Sequence, residues 1–189
     1  MFRSDEYKFY FTHIPKTGGT SIKKALLPYA NPGQLTFNGE KVNDGVGFHP
    51  HVKLTRARAI QYSTYFKFSI VRNPWARHAS LWKFLTGRGR RSVAGLSFPQ
   101  YIEAVCNGNH HYSINQVDFG LKYMSFVGKF ENLEGAFRQI CQRTGVPENT
   151  LEHFKDQGDY SYRTMYNHKT RMLIEKHCSE DILQFEYEF

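Results

Sequence analysis

Two hydrophobic periods alternate along this chain. Residues 7–12, YKFYFT, are aromatic and strand-like, and they pass through a Pro/Gly-containing loop at residues 14–19 into a helical pattern over 20–27. There Ile22, Ala25 and Leu26 share one face, Lys23 and Lys24 lie off it, and Pro28 closes the element. Residues 30–50 are rich in Gly and Pro without a clear period and read as loop with one short extended piece; a weak helix follows over 55–62. Residues 65–71, YFKFSIV, read as a buried strand. Asn73 and Pro74 then suit the N-cap and first position of a helix. Trp75, Ala79, Trp82 and Leu85 form an apolar stripe able to pack on a sheet, and the helix ends near Gly87. Ser97 opens a further helix to Cys106, residues 125–130 predict a third strand, and the helix after Glu131 stops at Gly145. Leu173, Ile174, Cys178, Ile182 and Phe185 recur at helical spacing near the C-terminal end. Strand and helix in alternation predict an α/β fold of three layers, with a mostly parallel central sheet and flanking helices. With 189 residues, 40% of them hydrophobic, a single domain over 1–189 is expected.

Composition changes this picture in three respects. Sixteen Phe and twelve Tyr argue for a compact core rather than disorder. The formal charge of +8 and pI near 9.4 favour anionic partners without choosing among nucleic acid, acidic membrane, nucleotide and acidic polysaccharide. Cys106, Cys141 and Cys178 are odd in number and far apart, which suggests neither a disulfide framework nor a zinc site and fits a reducing compartment. Charged residues from Arg3 onward leave no room for a signal peptide and no apolar run reaches membrane-spanning length, so the expected location is cytoplasmic, with no membrane segment.

Candidate chemistry concentrates at two strand-to-helix junctions. The first is residues 13–21, HIPKTGGTS. Backbone N–H groups at a helix N-terminus favour an anion, the glycines Gly18 and Gly19 allow close approach, Lys16 adds charge, and Thr17, Thr20 and Ser21 complete a phosphate cradle. The order differs from GxxxxGK[ST], because Lys16 precedes the glycines, and no later strand ends in an acidic residue able to hold magnesium. A bare Gly-Gly turn is the alternative. The second junction is VRNPWARHAS, where Arg72 leaves a strand and Ser80 sits on the second turn of the next helix. Arginine offers a bidentate grip on phosphate oxygens and serine a short donor; a salt-bridging Arg with a surface Ser is the alternative.

HIPKTGGTS resembles the 5′-phosphosulfate loop of the Golgi-type carbohydrate sulfotransferase family and its bacterial relatives, a group that includes the heparan sulfate O-sulfotransferases. VRNPWARHAS is similar to the same family's 3′-phosphate motif, and FVGKFENLEGAF and the closing DILQFEYEF are similar to its later segments. The resemblance implies a P-loop-like sulfotransferase fold and transfer of a sulfuryl group from 3′-phosphoadenosine 5′-phosphosulfate (PAPS) to an acceptor hydroxyl on a carbohydrate. It implies 3′-phosphoadenosine 5′-phosphate (PAP) as product and no metal. Lys16, Thr17, Gly18, Gly19, Thr20 and Ser21 would hold the phosphosulfate, and Arg72 and Ser80 the 3′-phosphate. In-line displacement calls for a cation at the leaving oxygen, Lys16, and a base near neutral pKa. His51 is the choice among nine histidines, with His49 in reserve, because they lie between the two motifs as a histidine does in several relatives; a solvent-facing or core histidine is the alternative. His13 is expected to brace the loop.

Further candidates are looser. The basic residues 87–92, GRGRRS, would recruit an anionic glycan or form a plain solvated loop. Gln116 and Asp118 would bond acceptor hydroxyls, and the resemblance implies that residues 159–163, with Tyr160, Tyr162 and Arg163, close over the adenine and 3′-phosphate by stacking and charge, with a plain surface loop as the alternative. A nucleic-acid-binding module would need a continuous basic stripe rather than cations at two strand ends, so no nucleic-acid partner is expected. A small-molecule kinase is the enzymatic alternative.

Overall fold

The computed structural model describes residues 2–31, 36–37, 40–41, 52–110, 113–151 and 161–189. They divide into two compact units, each assembled from two stretches of chain: Met1–Val71 with Phe119–Asp156, and Arg72–Asp118 with Gln157–Phe189.

The first unit holds the sheet. Strands β1 (Phe2–Ser4) and β2 (Phe9–Thr12) pair antiparallel, followed by helix α1 (Gly19–Leu26), a two-residue ladder of β3 (Thr36–Phe37) with β4 (Glu40–Lys41), and α2 (Arg56–Gln61). β5 (Phe66–Val71) and, much later, β6 (Phe126–Lys129) complete a sheet of order β1-β2-β5-β6 in which β2, β5 and β6 run parallel. The period-2 pattern explains the packing. Phe9 and Phe11 of β2 and Phe68 and Ile70 of β5 turn one face towards Ile22, Ala25 and Leu26 of α1 and towards Leu133, Phe137 and Ile140 of α5 (Leu133–Thr144). Burying each ring contributes about 1.5–3 kcal/mol. Tyr10 faces the other way, onto Leu54 and Tyr62 beside α2. The architecture is α/β, a mostly parallel four-stranded sheet flanked by helices, as the alternating periods predict.

β1 has no counterpart in the sequence reading. Three residues are too few to show a period, and its place comes from Phe2, which is buried against Phe9 and Phe11.

The second unit is helical. α3 (Pro74–Gly87), α4 (Phe98–Cys106) and α6 (His168–His177) share a core, with α7 (Ser179–Phe185) following directly from α6. The stripe Trp75, Ala79, Trp82 and Leu85, read as able to pack on a sheet, packs within this unit with Phe98, Tyr101, Ile102 and Val105 of α4 and Ile174 of α6. The C-terminal helical pattern is two helices, broken where Cys178 leaves helical geometry at φ −103°, ψ 24°.

Candidate functional site

The first junction is built on β2. Where that strand ends, the Ser69 hydroxyl of the neighbouring β5 donates to the Thr12 carbonyl (2.8 Å) and fixes the departure of the loop. Ile14 is fully buried and anchors it, and the Thr17 hydroxyl donates back to the Ile14 carbonyl (3.0 Å). Thr17 therefore spends its O–H inside the loop, and what it can offer an anion is its backbone N–H.

Lys16 and Gly18 adopt left-handed backbone, at φ 66° and 79°, while Thr17 between them does not. Such alternation gathers successive N–H groups on one concave side, a nest for an anion. α1 then starts at Gly19 with its first backbone bond from Ile22 N–H to the Gly18 carbonyl. Its N-cap is Gly18, which makes no side-chain cap bond, and its first turn contains no acid. By contrast Thr55, Asn73, Asn132 and Asn167 cap α2, α3, α5 and α6. The positive end of α1 thus has no cap from its own N-cap residue. Lys16 is half-buried beside it, Thr20 is exposed and Ser21 is buried on the first turn.

The two glycines are required by the chain's own packing. A Cβ on Gly18 would stand 2.8 Å from Leu133 Cδ2 and 3.0 Å from Phe130 Cδ2, and one on Gly19 would stand 2.0 Å from the His13 ring. That ring stacks on Phe11, with centroids 5.9 Å apart. His13 braces the loop from beneath, as expected.

The second junction is held differently. Asn73 Oδ1 accepts from the Trp75 and Ala76 N–H groups, at 3.1 and 3.2 Å, and its Nδ2 donates to the Glu188 carbonyl (2.7 Å). The N-terminus of α3 is therefore occupied by the Asn73 side chain, and the side chains of Arg72 and Ser80 beside it are both half-buried. Behind them Arg77 and His78 are fully buried. Burial, aided by the Arg77 charge, holds the His78 imidazole well below its ordinary pKa and hence neutral at pH 7. Its Nε2 lies 3.9 Å from Cys178 Sγ, which gives it a core role rather than that of an accessible base.

His49 and His51 lie outside the described residues, as do Asp159 and Tyr160. Gln116 is a correction. It is fully buried with its amide engaged by the Arg72 backbone and Asp181, so it is not presented to an acceptor. Asp118 is exposed. Arg88, Arg90 and Arg91 are exposed as well, with Arg88 over the Phe84 ring (4.6 Å to its centroid), and the Arg163 guanidinium donates to the Phe189 carbonyl (3.0 Å). Among the described residues no three metal-ligating side chains cluster, and no helix is long and apolar enough to cross a membrane.

Sequence reasoning passed over Ser69 and Asp181. Ser69 did leave a signal, a hydroxyl in an otherwise apolar strand centre; Asp181 left none, because its partners are remote in sequence. The family model described as the sulfotransferase family matches residues 1–188 of the chain. No curated protein matches it significantly.

Proposed function

The chain belongs to the sulfotransferase family, and from that premise we propose that it transfers a sulfuryl group from PAPS to the hydroxyl of a carbohydrate acceptor. The observation that supports this most is the acid-free N-terminus of α1, which has no cap from its own N-cap residue and is preceded by alternating left-handed residues and Lys16. A site of that kind fits the 5′-phosphosulfate, and the N–H groups of residues 17–21 with the Thr20 and Ser21 hydroxyls are its donors. Arg72 and Ser80 are assigned to the 3′-phosphate, which separates this donor from ATP.

The donor supplies the sulfuryl group: the acceptor oxygen forms a bond to sulfur as the bond between sulfur and the bridging phosphate oxygen breaks. Lys16 neutralises charge growing on that oxygen. His51 takes the acceptor hydroxyl proton, a task for which a group titrating near neutrality is suited. The exposed Arg88, Arg90 and Arg91 suit an anionic glycan as acceptor.

The test is calorimetric titration, without metal, using PAP, ADP and ATP. PAP should bind at least roughly tenfold more tightly than ADP, a margin that Arg72→Ala erases because a charge-assisted phosphate contact is lost. Lys16→Ala should reduce transfer from PAPS by ~10²–10³. Equal binding of ATP and PAP would overturn the reading in favour of a kinase.

A further inference from the structure

The ladder between β5 and β6 ends at Val71, paired with Lys129. Arg72 is the next residue, and its peptide groups are taken up by the side chain of Gln116. Gln116 Oε1 accepts from the Arg72 N–H (2.9 Å) and Gln116 Nε2 donates to the Arg72 carbonyl (2.9 Å). A side-chain amide has the same donor and acceptor as a peptide, so Gln116 acts as one more rung of pairing for a residue that has left the sheet. The second Nε2 proton goes to Asp181 Oδ2 (3.2 Å), which fixes which end of the amide is nitrogen. Asp181 also accepts from the Gln116 N–H through Oδ2 and from the Val117 N–H through Oδ1, each at 2.9 Å. Gln116 and Asp181 are both fully buried. The partners stand 44 and 65 residues apart in sequence, so nothing local imposes this arrangement.

We infer that Gln116 and Asp181 are positioning residues that act through Arg72. Asp181 locks the Gln116 amide, the amide holds the Arg72 backbone on both its N–H and C=O sides, and the guanidinium is thereby aimed for 3′-phosphate recognition. This rests on the assignment of Arg72 to that phosphate. Lost preorganisation appears as lost selectivity, because the arginine is still present but must be ordered by the ligand.

Gln116→Met keeps the volume and removes both contacts to Arg72. Asp181→Ala removes both carboxylate oxygens and with them the bonds that hold the Gln116 amide and backbone. Kd should be measured for PAP and for adenosine 5′-monophosphate, which lacks the 3′-phosphate. Each substitution should lower the preference for PAP by roughly tenfold, with the monophosphate Kd within about twofold of wild type. In an Arg72→Ala background Gln116→Met should have no further effect on the preference. A purely structural role would weaken both ligands alike or add to Arg72→Ala, and either result would overturn the inference. A wild-type preference that survives both substitutions would overturn the clamp alone; a wild type with no preference would overturn the role of Arg72 and the clamp together. Should both variants fail to fold, amide exchange in the wild type decides: the Arg72 N–H should be protected like those of β5, and exchange at the rate of an exposed loop would overturn the clamp.

Discussion

Gly18 and Gly19 show how one dipeptide serves two separate constraints. Gly18 needs a left-handed φ and faces Leu133 and Phe130; Gly19 begins a helix and has the His13 imidazole against its Cα. Gly19→Ala should therefore displace His13 from Phe11. We expect a cost of about 1–3 kcal/mol and a fall in melting temperature of roughly 2–4 °C for each kcal/mol, read by thermal denaturation. In a His13→Ala background the space is open, and the same substitution should cost much less. Single residues also separate what was readable from what was not. Lys16, Gly18, Gly19 and Arg72 were marked by type and spacing at strand ends. Gln116 was marked only as a polar residue in a loop, and its burial and partners reversed its reading from acceptor contact to backbone clamp.

At the scale of elements, α1 and α3 both follow a parallel strand yet end differently towards the anion they are assigned. α1 starts from Gly18, which makes no side-chain cap, whereas α3 is capped by Asn73; under the proposed assignment backbone N–H groups serve the first anion and the side chains of Arg72 and Ser80 the second. Asn73→Ala should cost about 1–2 kcal/mol through the lost cap. Asn73→Asp should recover most of this in the same denaturation measurement, because a carboxylate still accepts from Trp75 and Ala76 although it no longer donates to Glu188. Helix and strand positions were largely legible: Thr55, Asn73 and Ser97 stand at the starts of α2, α3 and α4 as local capping chemistry requires. β1 and the break at Cys178 were not, since one is three residues long and the other interrupts an unbroken apolar stripe.

At the scale of the whole molecule, the charge of +8 sits on a fold that also buries cations. Lys23 is 5% exposed on α1 and lies over the Phe2 ring, and burial pushes its pKa down to about 7. An unfolded lysine titrates near 10.4, so above about pH 7 the unfolded chain binds a proton that the folded one does not. This group's penalty is full below about pH 7 and is relieved as pH rises. Chemical denaturation should show Lys23→Met more stable than wild type at pH 6, with the gap closing between pH 7 and 8.5 by up to ~1.4 kcal/mol per pH unit. A constant gap would refute the burial argument. The thiols of half-buried Cys106 and buried Cys141, both pushed up to about 11, act in the opposite sense above pH ~8.5 in both proteins, so they bend each stability curve and leave the gap unchanged. What the sequence by itself determined was the alternation of strand and helix, the two junction motifs and a net charge of +8. Periodicity, capping residues and charge are local quantities, and they survive without knowledge of the fold. Only the tertiary structure decided that the α3 stripe packs on α4 and α6, that His78 is a neutral core group, and that Gln116 and Asp181 hold Arg72. Each of these depends on which distant segments meet, and burial and hydrogen-bond partners have no signature until they do.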